Sequence, residues 1–87
     1  MAAYSLFFKE SVQKDFEGIP KKELRKILNR IRSLAGDPRP QGCEKLTGQN
    51  RYRVRQGRYR IVYAVQPEER ALIVVKVGHR KDVYRQG

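Results

Sequence analysis

The sequence predicts an α+β fold: an N-terminal strand, a two-helix hairpin, then a three-stranded antiparallel run. The strands form a curved sheet with the helices on one face, and a short C-terminal tail or helix follows. Three observations predict this. Apolar residues recur at helical spacing between Leu24 and Leu34, and alternating then continuous apolar stretches occupy residues 51–77. The third is length, because 87 residues make one domain over residues 1–87. Such a chain buries roughly 60–65% of the surface its unfolded form exposes, enough for one sheet and two or three helices.

Each element has its own signal. Tyr4-Ser5-Leu6-Phe7-Phe8-Lys9 is apolar and β-rich and reads as the first strand. Ser11 is placed to cap a short helix whose inner face carries Val12 and Phe16, one turn apart. Gly18 ends that helix. Pro20 opens the next, at a position where its missing N–H costs nothing. Leu24, Ile27, Leu28, Ile31 and Leu34 form one continuous stripe on the second helix. Its other faces carry Lys21, Lys22, Arg25, Lys26, Arg30 and Arg32. Gly36 and Asp37-Pro38 stop it, and residues 38–50 read as a loop anchored by Leu46. Residues 51–55 form the next strand, and Gln56-Gly57 is a two-residue hairpin connector. Residues 59–65 form the return strand and Pro67-Glu68-Glu69-Arg70 a turn. The run Leu72-Ile73-Val74-Val75-Lys76-Val77 reads as a central strand covered on most of both sides. Gly78 breaks it, leaving residues 79–87 as a polar tail with one or two helical turns. No internal repeat, low-complexity segment or linker interrupts this order.

Charge narrows the function classes. Twenty Lys and Arg against nine Asp and Glu give a net charge of +11 and a pI near 10.3. A small domain this basic is expected to meet nucleic acid, an anionic membrane or an acidic protein. No apolar run approaches the roughly 20 residues of a membrane span, and Met1-Ala2-Ala3-Tyr4 lacks the layout of a secretory signal. The single cysteine, Cys43, forms no internal disulfide and fits a reducing cytosol, so a cytoplasmic location is expected. One histidine, one cysteine and scattered carboxylates offer no metal-ligand cluster. No glycine-rich phosphate loop implies a nucleotide cofactor, and no cofactor is expected.

The most informative segment runs from Arg51 to Arg60, with five arginines in ten residues and no acid. Alternation with Tyr52 and Val54 directs Arg51, Arg53 and Arg55 to one face of a strand and the apolar pair to the other. Their stems then stand roughly 6.5–7 Å apart. Three permanent cations at that spacing repel one another, and phosphates along a nucleic-acid backbone are the natural counterpart. The same alternation turns Tyr52 inward, and core packing is expected for Tyr52, Tyr59 and Tyr63.

Taken together, the helix hairpin, Asp37-Pro38-Arg39-Pro40, Lys45-Leu46-Thr47-Gly48, the Tyr52–Tyr63 hairpin and Val77-Gly78-His79-Arg80-Lys81-Asp82-Val83-Tyr84 resemble the RelE/ParE superfamily of type II toxin–antitoxin toxins. The resemblance covers essentially the whole chain in the right order. Within the superfamily the RelE branch cleaves mRNA in the ribosomal A site, and the ParE branch poisons DNA gyrase. The tail with Arg80 and Tyr84 is similar to the RelE branch. It implies a metal-independent endoribonuclease in which the 2′-hydroxyl attacks the adjacent phosphate. Carried onto matching positions, the family's roles implicate Arg53, Arg55, Arg60, Arg80 and Tyr84, with Arg60 and Arg80 as phosphate clamps.

Arg53 and Arg55 stand where RelE-branch toxins usually carry lysines. Arginine, with a pKa above about 12, stabilises charge but does not shuttle protons. Proton transfer is therefore assigned to Tyr84, whose phenolate surrounding arginines favour, with His79 as an auxiliary group near its natural pH range. The resemblance also makes Arg51, Arg58, Lys45, Lys21, Lys22, Arg25 and Lys26 candidate RNA or ribosome contacts, though the helix-two cations also read simply as a solvated face. Expected partners are a cognate acidic antitoxin, mRNA and rRNA on the ribosome, and operator DNA only through the antitoxin complex. No membrane partner is expected, and the free toxin is expected to be a monomer. The alternatives are a ParE-like gyrase inhibitor and a degenerate, non-catalytic RNA-binding toxin.

Overall fold

The computed structural model describes residues 3–46 and 50–79. Its order is β1 (Ser5–Phe8), α1 (Glu10–Glu17), α2 (Lys21–Gly36), β2 (Glu44–Lys45), β3 (Arg51–Gln56), β4 (Tyr59–Gln66), a 3₁₀ turn (Pro67–Glu69) and β5 (Ala71–His79). The five strands make one sheet in the order β1-β5-β4-β3-β2. β1 runs parallel to β5, with Leu6 opposite Leu72. The other neighbours are antiparallel. The α+β architecture expected from the sequence is the one found.

Both helices lie on one face of the sheet, because every second strand residue joins a shared core with them. Val12, Ile19, Ile27, Ile31 and Leu34 pack against Tyr52, Val54, Ile61, Tyr63, Val65, Leu72, Val74 and Val77. The stripe on α2 is met by burial of Ile27, Ile31 and Leu34, while Leu24 and Leu28 lie partly buried at its border. Tyr52 and Tyr63 stack in this core with ring centroids 5.9 Å apart. The Tyr63 hydroxyl donates to the Pro38 carbonyl at 2.7 Å, which ties the loop after α2 to the sheet.

Four local expectations are corrected. Helix α1 starts at Glu10 with Lys9 as its N-cap residue, so Ser11 lies inside the helix rather than capping it. The loop between α2 and β3 contains the short strand β2, paired through Glu44 with Arg53 and Lys45 with Tyr52. The hairpin turn is Gly57-Arg58, one residue later than expected, because Gln56 pairs with Tyr59. Gly57 has φ 61° and Arg58 is not among the positive-φ residues, the pattern of a type II′ turn with glycine at its first central position. Finally, β5 continues through Gly78 to His79 instead of breaking there, since Arg60 pairs with Gly78 and Tyr59 with His79. The polar tail expected over residues 79–87 lies outside the described residues beyond His79.

Candidate nucleic-acid interface

The face of the sheet turned away from the helices is built by strand parity. On β3, Tyr52 and Val54 are buried in the core, which sends Arg51, Arg53 and Arg55 to the open face. On β4, Ile61, Tyr63 and Val65 point inward, which sends Arg60, Val62 and Ala64 outward. The register then fixes the neighbours: Arg51 opposite Ala64, Arg53 opposite Val62, and Arg55 opposite Arg60. Three arginines expected to act together, Arg53, Arg55 and Arg60, therefore converge on one end of this face.

Their environments differ. Arg60 is only 7% exposed, and its Nη1 donates to the Tyr59 carbonyl at 3.3 Å. It stands between Arg55 on β3 and Gly78 on β5, and the glycine places no side chain beside it. Arg53 is held by Glu44, with Nη2 donating to Oε1 at 3.1 Å. That carboxylate is well exposed, so the pair is worth at most about 1 kcal/mol. Arg55 is exposed. Across the rest of the face runs an apolar row, Ala64, Ile73 and Phe7, in direct register with Arg51. Phe7 is 53% exposed.

The other sequence-assigned residues fall elsewhere. His79 lies opposite Tyr59, with the two rings edge to face at 5.9 Å. Tyr59 packs against the core, so this pair is on the helix side, across the sheet from Arg60. Lys21, Lys22, Arg25 and Lys26 are exposed on α2, also on the helix side. Lys45 is exposed and opposite Tyr52, Arg51 is exposed on the open face, and Arg58 is exposed in the hairpin turn. Arg80 and Tyr84 lie outside the described residues. Burial raises the Tyr63 phenol well above its ordinary pKa, and neighbouring Cys43 adds to the rise. Tyr63 is therefore a neutral structural donor.

Two acids with defined partners escaped sequence reading. Glu44 pairs with Arg53, but its acid sits in what reads as a loop. Asp15 accepts from Lys76 Nζ and from the Val77 N–H, both at 3.1 Å. The only signal was a lone aspartate near the end of α1, 61 residues from Lys76. Among the described residues, no group of three His, Cys, Asp or Glu side chains gathers as metal ligands. Nor is any described helix long and apolar enough to cross a membrane. The open face can hold a row of anions at fixed spacing.

Residues 6–84 match the family of ParE toxins of the type II toxin–antitoxin system parDE. A toxin named RelE1 from Methanocaldococcus jannaschii is 32% identical over 78 residues, covering 85% of this chain and 87% of that protein. Among solved structures, a free mutant of the E. coli toxin RelE superposes with a TM-score of 0.79 at 26% identity. That match covers 95% of this chain and 92% of the other. The RelE–RelB complex of Pyrococcus horikoshii gives 0.77 at 26% identity, covering 90% and 96%.

Proposed function

The chain belongs to the ParE toxin family of type II toxin–antitoxin systems, within the RelE/ParE superfamily, and we propose that it acts as a ribosome-dependent mRNA endoribonuclease. The observation that carries this reading is the cluster of Arg53, Arg55 and Arg60 on the open face, with Arg55 directly opposite Arg60. Likeness to proteins named RelE supports the same branch.

In this reading the message lies across the open face with its scissile phosphate against Arg60 and Arg55. The 2′-hydroxyl loses its proton and attacks the adjacent phosphorus. The P–O5′ bond breaks, leaving a 2′,3′-cyclic phosphate, and the departing 5′-oxygen takes a proton. Charge accumulates on the non-bridging oxygens during this step, and fixed guanidinium forks stabilise it. Arg60, largely withdrawn from water, is the strongest such group, and Arg80 is proposed as its partner clamp. Arg53 and Arg55 steer and neutralise.

Proton transfer falls to Tyr84. With its ring across the sheet from Arg60, His79 is left an auxiliary part, which a pH–rate profile of His79→Gln tests. An unchanged profile removes it. Arg51, Arg58 and Lys45, with the α2 cations Lys21, Lys22, Arg25 and Lys26, are proposed ribosome contacts on flanks and back.

The partner is a cognate acidic antitoxin, a reading supported by the RelB-RelE antitoxin–toxin complex from Methanococcus jannaschii. Its acids answer the charge of +11, and operator DNA is reached only through that complex. The toxin works in the cytoplasm as a monomer.

Primer extension across a reporter message in cell-free translation tests the function, with an Arg80→Ala, Tyr84→Phe double variant as control. Discrete cuts within A-site codons, absent from the control, are expected. Uncut message with normal translation refutes the ribonuclease. Supercoiling by DNA gyrase then tests the second reading, a gyrase poison, which the ParE family match favours.

A further inference from the structure

Cleavage by 2′-hydroxyl attack moves two protons, one off the attacking oxygen and one onto the departing 5′-oxygen. In-line displacement places those oxygens on opposite sides of the phosphorus, so Tyr84 serves one of them and a second group is needed for the other. Arginine cannot supply it. On the open face, β3 and β4 present Arg51, Arg53, Arg55, Arg60, Val62 and Ala64, none of which transfers a proton. Lys45, opposite Tyr52, shares the helix side, as do Tyr59 and His79.

Glu44 fills that gap. It stands on β2 directly opposite Arg53, and its Oε1 accepts from Arg53 Nη2 at 3.1 Å, which ties an edge carboxylate to the arginine face. The side chain is 64% exposed, so a message lying on this face meets it. From Arg60 it lies two strands across and two residues along, a diagonal of roughly 12 Å between Cα positions. Arginine and glutamate side chains reach toward each other over that span and leave room for one ribose with its phosphate. The side matters as much as the span. β2 lies on one flank of the Arg55–Arg60 pair and β5 on the other. β5 is the strand that ends at His79, five residues before Tyr84 in the chain.

We propose that Glu44 is the general base of the cleavage, the catalytic residue that takes the 2′ proton. The inference rests on the ribonuclease reading above. The carboxylate withdraws the proton, the freed oxygen bonds to phosphorus, the P–O5′ bond breaks, and Tyr84 gives a proton to the leaving oxygen. Glu44 ends protonated and Tyr84 ionised, and solvent restores both after the product leaves. Arg53 holds the carboxylate toward the face through a weak, exposed ion pair. A phosphate that competes for the same guanidinium releases Glu44 as substrate arrives. A carboxylate kept only to balance Arg53 would behave differently: without it the face would bind RNA more tightly and cut no more slowly.

Single-turnover cleavage on programmed ribosomes tests this with Glu44→Gln, which keeps the shape and cannot take the proton. The rate is expected to fall about 100-fold, while affinity for ribosomes carrying a 2′-deoxy message stays equal or rises. Glu44→Asp should recover part of the rate. Formate, set against an equal concentration of chloride, should speed Glu44→Ala and leave wild type unchanged. A message with sulfur at the 5′ bridge departs as a thiolate and needs no proton there. It should therefore restore Tyr84→Phe and leave Glu44→Gln slow. A Glu44→Gln rate within about threefold of wild type, a loss explained by weaker ribosome binding, or restoration by the sulfur-bridged message overturns the proposal. Wild type that never cuts message removes the ribonuclease reading and the base together. Wild type that cuts while Glu44→Gln keeps pace removes the base alone.

Discussion

Replacing Tyr63 by Phe removes one atom from the centre of the protein and tests how the sheet is tied to the loop behind it. The side chain is 0% exposed, and its hydroxyl donates to the Pro38 carbonyl at 2.7 Å. Phe keeps the ring and the stack on Tyr52, so the loss is the hydrogen bond and an acceptor left without its donor. A net hydrogen bond is worth about 0.5–1.5 kcal/mol and the partly buried Pro38 carbonyl loses its donor, so a cost of about 1.5 kcal/mol is expected. For a domain of this size that lowers Tm by about 6–12 °C at pH 7. The alkaline limb gives a second reading. Burial, then Cys43, raise the phenol's folded pKa above its ordinary value. The folded state thus holds its proton where the unfolded chain releases it, near pH 10. The stabilisation is complete below that pH and is lost as pH rises beyond it, at about 1.4 kcal/mol per pH unit. Circular dichroism melts from pH 7 to 11 read both effects. Tyr63→Phe should start lower and then fall less steeply than wild type above pH 10. Equal Tm at pH 7, or parallel decline above pH 10, refutes the reasoning.

Arg60→Lys keeps the charge and discards the planar fork. Single-turnover cleavage on programmed ribosomes should fall about 100-fold, whereas a loss under threefold would remove Arg60 from the transition-state contacts. Asp15→Asn weakens the ion pair with Lys76 and the bond from the Val77 N–H. It should cost about 2 kcal/mol in urea unfolding at pH 7, and an unchanged midpoint would make that contact incidental. Binding to single-stranded RNA should weaken with salt along a log–log slope of about −3 to −4, as neutralising about five phosphates requires. A slope near zero, read by fluorescence anisotropy, would exclude the arginine face as an electrostatic site.

How much of this was legible in the sequence depends on whether a feature is local. The α2 stripe and the β3 alternation were legible because each period is written within one element and both faces differ sharply in polarity. The arginine face followed directly from Tyr52 and Val54 turning inward. The hairpin turn was misplaced by one residue because Gln56-Gly57 and Gly57-Arg58 both satisfy a two-residue connector, and cross-strand pairing alone chooses between them. Gly78 reads as a breaker because glycine weakens strands, yet β4 pairs with it and carries the strand onward. His79 shows the consequence. With the strand ended at Gly78 its direction is undefined, and with the strand continued parity places it on Tyr59's side, away from Arg60. The parallel union of β1 with β5 and the reach of Asp15 to β5 join residues more than 60 positions apart, and no local pattern encodes them.

The two faces of this sheet solve different physical problems with one strand period. Inward positions on β3 and β4 are apolar or aromatic and hold the helices, so the outward positions are released from any role in the core. That release is what permits like charges to stand side by side. In a core position each added arginine would need a partner, while on the open face Arg51 and Arg55 keep their hydration and Arg53 and Arg60 are largely withdrawn from it. The repulsion among them lowers stability slightly in the free protein and is relieved by any polyanion that spans the row. Glu44, ion-paired to Arg53, offsets part of that repulsion through a contact weak enough for a phosphate to displace. Any polyanion bound along this face draws on that same unrelieved charge.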